Sequence, residues 1–379
     1  MRHDLRDKVV VITGASSGIG RATALAFAEQ GAHVVLAARR DDVLEQVRQE
    51  CQRKGPRAIA VQCDVVEPAE VQGVADEAVN AFGRIDVWIN NAGILALGKF
   101  EDTPPDIVEQ VMRVNYYGTV QGCRSALRQF RVQGHGTIVN VASIASFANH
   151  AYAAAYSASK AAVRAFTEAL RQELLDQPNI RISTVLPAAI DTPLFQHAAN
   201  YAGRQAKALD PVYAPEEVAA AIVAMAQAPK REVIVGRAGK LMNAEFNLAP
   251  GLAAKLTAKM IERGMFQDES AGPTTGNAFE PMFEGQDVSG GWRERNRKLK
   301  AERWQRRRPQ MTLGGIALLA LGLGLVAGRV RGGPQRERIQ GQTATDHRID
   351  HAQEDRRYND RHRYQYARQG YPEVYPAER

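Results

Sequence analysis

Ser143, Tyr156 and Lys160 are separated by thirteen and then four residues, the last two within Tyr156-Ser157-Ala158-Ser159-Lys160. A four-residue spacing puts the phenol and the ammonium on one face of a helix. A free tyrosine, with a pKa of about 10, is a poor base at neutral pH. A cation one helical turn away favours its ionised form, so the pair could exchange a proton with a neighbouring oxygen. On its own the spacing is weak, because both residue types are common. It gains weight from Thr13-Gly14-Ala15-Ser16-Ser17-Gly18-Ile19-Gly20 near the N-terminus. Glycines at 14, 18 and 20 allow a tight turn, bring backbone N–H groups up to a pyrophosphate and let the following helix pack on the preceding strand. Phosphates would meet the helix N-terminus, where free donors and the dipole favour negative charge. One feature suits holding a dinucleotide; the other suits moving a proton.

These residues need elements to position them, and the pattern supplies strands alternating with helices. Runs at Lys8–Ile12, His33–Ala38, Ala58–Gln62, Asp86–Ile89, Gly136–Val141, Ile180–Leu186 and Glu232–Val235 read as strands, the apolar first of them buried. Helical periodicity falls between them: Gly18–Gln30, Asp41–Arg53, Pro68–Ala81, a long stretch to about Arg131, a helix bearing Tyr156 and Lys160 to about Leu175, and Pro215–Gln227. Alternation of this kind predicts an α/β fold with a doubly wound parallel sheet, a Rossmann arrangement in a single domain. Each motif follows a predicted strand, where ligands of such sheets sit.

The 379 residues accommodate that domain and more. We divide the chain into a catalytic domain at 1–240, a helical extension at 241–267, a linker and basic segment at 268–310, an apolar helix at 311–328 and a polar, disordered tail at 329–379. The extension is amphipathic and interrupted by Pro250-Gly251. Residues 268–291 are rich in Gly, Pro, Ser, Thr and Asn, the composition of a linker. The net charge of +7 is uneven: residues 292–379 hold 20 Lys/Arg against 10 Asp/Glu, leaving the rest slightly acidic. A basic pI therefore describes the tail and gives no reason to expect nucleic-acid binding by the folded part. Cys51, Cys63 and Cys123 are scattered, without metal-ligand or disulfide-framework spacing, and read as reduced packed thiols. No metal site is expected, and the charged first eight residues do not read as a secretory signal.

Thr-Gly-x-x-x-Gly-x-Gly, Asn90-Asn91-Ala92-Gly93 and Tyr-x-x-x-Lys, in this order, resemble the short-chain dehydrogenase/reductase family over about residues 5–240. The glycine spacing fits its short single-domain branch. The resemblance implies an enzyme that interconverts a carbonyl and an alcohol with a nicotinamide dinucleotide. It implies Tyr156 as general acid/base, Lys160 as ribose ligand and tuner of Tyr156, and Ser143 as holder of the substrate oxygen. Asn115, in Val114-Asn115-Tyr116-Tyr117-Gly118, matches the fourth catalytic residue, holding a water toward Lys160; a helix cap is the alternative reading. The cofactor set it implies is Gly14, Ser16, Ser17, Gly18, Ile19, Gly20, Asp64, Asn91, Ala92, Gly93, Tyr156, Lys160, Pro187 and Thr192. Asp64 would contact the adenine and Asn91 would support the turn. The family usually has Pro-Gly where this chain has Pro187-Ala188, a departure that leaves the local backbone open. Relatives commonly pair through two long helices, here about 106–131 and 155–175, so a homo-oligomer is implied.

Cofactor choice follows from charge. A carboxylate ending the second strand would bind the ribose 2′-hydroxyl of NAD and repel a 2′-phosphate. This chain reads Leu36-Ala37-Ala38-Arg39-Arg40, with Ala38 at the ribose-facing position and two guanidinium groups after it. Arg39 and Arg40 fit a 2′-phosphate through charge-assisted bonds, favouring NADP(H) over NAD(H). They also fit a solvated helix start. Leu194–Asp210 would form a substrate lid, and Ile94, Leu95, Phe147, Ala189 and Phe195 an apolar pocket, although core packing explains apolar residues equally well.

Residues 311–328 carry no charge and would span about 27 Å as a helix, just short of a bilayer's hydrocarbon core of roughly 30 Å. Eight Leu/Ile/Val favour insertion and five glycines weaken it. Arginine and lysine are denser before the run than just after it, which places the catalytic domain on the cytoplasmic side of a membrane-tethered protein. Gly324 and Gly328 make a small-xxx-small pair able to bring two such helices together. The basic stretch at 292–308 suits anionic lipid, with nucleic acid as the rival partner. The leading expectation is a membrane-tethered, NADP(H)-dependent carbonyl reductase with a small-molecule substrate. The alternative is a non-catalytic nucleotide-sensing or scaffolding protein on the same fold.

Overall fold

Val9–Thr13 (β1) is buried at every residue, and so is Val87–Asn90 (β4). Strands this apolar require cover on both faces. In the computed structural model, which describes residues 4–299 and 301, the order begins β1, α1 (Gly18–Glu29), β2 (His33–Ala38), α2 (Asp41–Gln52), β3 (Ala58–Gln62), α3 (Pro68–Phe82), β4. It continues with β5 (Ala96–Leu97), α4 (Pro105–Met112), α5 (Gly118–Gln133), β6 (Gly136–Val141), α6 (Ala154–Glu173) and β7 (Ile180–Pro187). After these come β8 (Ala199–Asn200), β9 (Arg204–Ala206), α7 (Pro215–Gln227), β10 (Glu232–Val235), α8 (Arg237–Leu248), α9 (Pro250–Gly264) and β11 (Phe266–Ser270).

Seven strands form one parallel sheet in the order β10-β7-β6-β4-β1-β2-β3. The chain winds outward from β1 to β3, then crosses back to β4 on the other side of β1. That reversal opens a crevice beyond the carboxyl ends of β1 and β4. Alternation along each strand divides the core into two layers. Val9, Val11, Val35, Trp88 and Ile138 point to one, and Val10, Ile12, Val34, Leu36 and Ile89 to the other. Three details differ from the sequence reading. The long helix is split by a π-helical turn at Arg113–Tyr117, which carries Asn115. The two-residue strands β5 and β8 pair beside the crevice. Residues 268–291 do not behave as a linker: Phe266 in β11 pairs with Ala206 in β9, and the chain then runs across the crevice to a buried Trp292.

Among the described residues no helix is long and apolar enough to cross a membrane. The run at 311–328 and the tail at 329–379 lie outside the described residues.

Candidate active site

The glycine turn closes on itself at the end of β1. Gly14 adopts φ +67°, and a methyl there would sit 2.8 Å from the Ala92 Cα. A side chain at Gly20 would collide with the Gly14 carbonyl. Asn91 braces the turn from β4: its Nδ2 donates to the Thr13 and Gly14 carbonyls at 3.0 and 3.2 Å, and its own N–H donates to Thr13 Oγ1 at 3.1 Å. The amides of Ile19 and Gly20, in the first turn of α1, meet no acceptor among the described residues. They form the kind of helix N-terminus that receives a phosphate.

Across the crevice, α6 presents Tyr156 and Lys160 one turn apart, and Ser143 ends the segment after β6. Lys160 Nζ donates to the Val141 carbonyl at 3.0 Å and lies 5.8 Å from the Tyr156 ring centroid. Ser143 Oγ accepts the Ala145 N–H at 3.1 Å, which orients the hydroxyl toward the cleft. Burial raises the Tyr156 phenol above its usual pKa, and Ser143, in hydrogen-bonding reach, acts weakly the other way. The expected lowering by Lys160 does not contribute here: burial sets the direction, and Ser143 is the group that opposes it. Burial also depresses Lys160, to about 8.

Asn115 is fully buried in the π-turn. Its Oδ1 accepts the Ile94 N–H at 2.8 Å, while Nδ2 donates to the Ile94 carbonyl at 3.0 Å and to Ser159 Oγ at 2.9 Å. It does not act as a helix cap. A side chain at Gly93 would sit 3.2 Å from Asn115 Oδ1 and 3.3 Å from Lys160 Nζ, so glycine keeps the space between those two groups open.

Every residue singled out by the motifs borders one cleft except Gly20 and Asn115, which stand behind it. Asp64 and Cys63 border its nucleotide end with Arg39 and Arg40. Asp64 Oδ1 accepts the Val66 N–H at 3.1 Å. Burial pulls both guanidinium groups below their usual range, with Asp64 opposing the effect at Arg39 and Asp42 at Arg40. At the other end, Ile94, Leu95, Ala189 and Phe195 line the cleft as expected, but Phe147 does not; it stacks under Arg164, 5.5 Å from the guanidinium carbon. Leu209, from the expected lid, lines the cleft, as do Met242 and Met265, from segments more than sixty residues beyond the end of the catalytic helix. His150 lines it too, held near a pKa of about 4 by burial, and His197 is a further member that spacing gave no reason to select. The Ala188 methyl is accommodated because position 236 is glycine: an added Cβ there would lie 2.9 Å from it. All three cysteines are free and buried, and among the described residues no group of His, Cys, Asp or Glu could hold a metal.

A doubly wound sheet with a phosphate-receiving turn on one side of the switch point and a buried phenol–ammonium pair on the other defines a dinucleotide-dependent oxidoreductase. The short chain dehydrogenase family model matches residues 8–202, and the chain belongs to that family. It is 35% identical over 270 residues to a protein named "Uncharacterized oxidoreductase YxnA" from Bacillus subtilis, covering 70% of this chain and 75% of that one. It is 35% identical over 276 residues to "Dehydrogenase/reductase SDR family member 7B" from Bos taurus, covering 69% and 84%. Among solved structures, a short-chain type dehydrogenase/reductase from Mycobacterium marinum superposes with a TM-score of 0.55 at 31% identity, over 61% of this chain and 95% of that one. An alcohol dehydrogenase from the archaeon Thermococcus sibiricus, complexed with 5-hydroxy-NADP, superposes with a TM-score of 0.53 at 26% identity, over 60% and 95%. The protein is accordingly an NAD(P)-dependent dehydrogenase/reductase acting on alcohol or carbonyl groups.

Proposed function

We propose that the protein is an NADP(H)-preferring carbonyl reductase for an apolar substrate, tethered to a membrane through residues 311–328. The observation that carries the preference is the nucleotide end of the cleft: Ala38 places no carboxylate at the ribose, and Arg39 and Arg40 border the same space. Bound dinucleotide supplies the hydride. The Ile19 amide at the start of α1 would hold its phosphates, Thr192 and Pro187 would meet its nicotinamide half, and Lys160 would hold its ribose. Ser143 donates its O–H to the substrate carbonyl oxygen. Tyr156 then gives up its phenolic proton to that oxygen as the carbonyl carbon is reduced, so the product carries a new C–H and a new O–H bond. A phenol whose pKa is raised by burial stays protonated at neutral pH, which suits the reductive direction. Water in the space that Gly93 keeps open between Asn115 and Lys160 returns a proton toward the phenolate. Leu194, Phe195, Leu209, Met242 and Met265 give the substrate end an apolar lining.

The test is turnover of a panel of ketones, aldehydes, steroids and quinones with NADPH and with NADH. Tyr156→Phe should lose about 10²–10⁴-fold in turnover while binding NADPH as before. Undiminished turnover in that variant would remove Tyr156 from the proton step. Equal use of the two dinucleotides would remove the preference.

A further inference from the structure

The nucleotide end of the cleft is covered by the chain's own C-terminal half. Arg39 donates from Nη1 to the Phe279 carbonyl and from Nη2 to the Asn277 carbonyl, both at 2.8 Å. Arg40 donates to the Met282 carbonyl at 2.5 Å, Arg21 to Gln286 at 2.8 Å, and the Gly18 amide to Asp287 at 3.0 Å. His197 Nε2, 2.7 Å from the Glu284 carbonyl, must be the protonated nitrogen. Asn277, Pro281 and Met282 line the cleft from above, and Asn277 Oδ1 is buried without a hydrogen-bond partner. An orphaned buried acceptor is costly unless something else satisfies it.

The far end of this roof is fastened to the segment after β7, where Gln196 Nε2 donates to the Gly290 carbonyl at 2.7 Å and the Gly290 N–H donates to the Asp191 carbonyl at 3.1 Å. Asp191, in the loop after β7, accepts the Trp292 N–H at 2.6 Å and the Ser289 hydroxyl at 2.9 Å. The buried Trp292 indole donates to the Thr192 carbonyl at 3.1 Å. The roof is hydrogen-bonded to Arg39, Arg40 and the Gly18 amide over the glycine turn, so it must lift for a dinucleotide to enter.

We propose that residues 277–292 are a latched clasp over the nucleotide: Asn277 contributes a hydrogen-bond acceptor to the bound adenosine half, and the segment must unlatch at Asp191–Trp292 for the dinucleotide to enter and leave. This rests on the reading of the cleft as a dinucleotide site. A guanidinium has five N–H donors, and the clasp uses two of Arg39's. Arg39 can therefore hold the clasp and a phosphate together, so that closing and binding reinforce each other. The clasp carbonyls are neutral acceptors and leave the positive charge of Arg39 and Arg40 for the ligand; that of Arg21 is paired with Glu50.

Hydrogen exchange and rapid-mixing displacement of NADPH test this on the full chain. NADPH should slow amide exchange across 277–291. Exposed Ser289→Ala, which leaves the core intact, and Trp292→Ala should each release NADPH about tenfold faster or more. Asn277→Ala should weaken NADPH binding. The clasp is overturned if NADPH binds while exchange across 277–291 is unchanged and both latch variants release it at the wild-type rate. Absence of dinucleotide binding in the wild type is a different outcome, one that overturns the reading of the cleft and the clasp with it.

Discussion

Burial holds Lys160 at a pKa of about 8, against 10.5 for an exposed lysine. Between those values the unfolded chain binds a proton that the folded chain has released, so stability rises as pH climbs from about 8 toward 10. At neutral pH the buried ammonium destabilises the fold by an amount on the order of 3 kcal/mol. Lys160→Met should therefore melt higher than wild type at pH 7, with the gap shrinking by pH 10, while losing turnover. A wild-type stability that is flat from pH 8 to 10 would contradict the buried charge. The same titration should make reduction decline above about pH 8, as the cation beside Tyr156 is lost. Arg39→Ala removes a charge-assisted partner and should lower the NADPH-over-NADH ratio of kcat/KM about 10- to 100-fold; an unchanged ratio would assign the preference elsewhere. Ser143, Tyr156 and Lys160 could be read from the chain because their chemistry needs fixed spacing around one helix and one strand end. Asn277 and His197 could not. Their partners at Arg39 and Glu284 are 238 and 87 residues away in sequence, and no local pattern marks them.

The seven sheet strands were visible as apolar runs: the inner ones are buried on both faces, and the edge strands β3 and β10, though half-buried, keep short Val/Ile/Ala-rich runs. Their ends were legible to within a residue or so, since turn glycines and charged helix starts bound them. The π-turn at Arg113–Tyr117 was hidden because a single extra residue barely disturbs helical periodicity. It matters because it turns Asn115 inward against the β4–β5 loop, where the carboxamide satisfies both backbone groups of Ile94 and the Ser159 hydroxyl. Asn115→Ala leaves both backbone groups of Ile94 buried and unpaired, while the Ser159 hydroxyl keeps its bond to the Tyr156 carbonyl. It should destabilise the protein by about 2–4 kcal/mol in denaturant titration. A loss below about 0.5 kcal/mol would mean that the loop finds other partners. Residues 268–291 were misread for a related reason. Glycine, proline and serine describe a chain without its own core, and that composition fits a solvated linker and a strap pinned by backbone carbonyls equally well.

At the scale of the whole molecule, charge and hydropathy are segregated. The part with the family's motifs is slightly acidic, and the basic excess gathers at 292–379 around the uncharged run at 311–328. None of the described helices can cross a membrane, so the proposed tether depends on that run alone. Eight Leu/Ile/Val contribute roughly 2–5 kcal/mol toward insertion, before the glycines reduce it. An arginine near the centre of a span opposes insertion by about 2.5–3.5 kcal/mol, so two exceed the whole driving force. The wild-type protein should stay with the membrane fraction after an alkaline wash, and Leu319→Arg with Leu321→Arg should move it to the supernatant with NADPH binding retained. Tethering through lipid charge instead, by the basic stretch at 292–308, would be stripped by salt and indifferent to those two substitutions. If the wild type is found entirely in the supernatant before any wash, the tether is wrong, and the proposed reductase must draw its apolar substrate from solution.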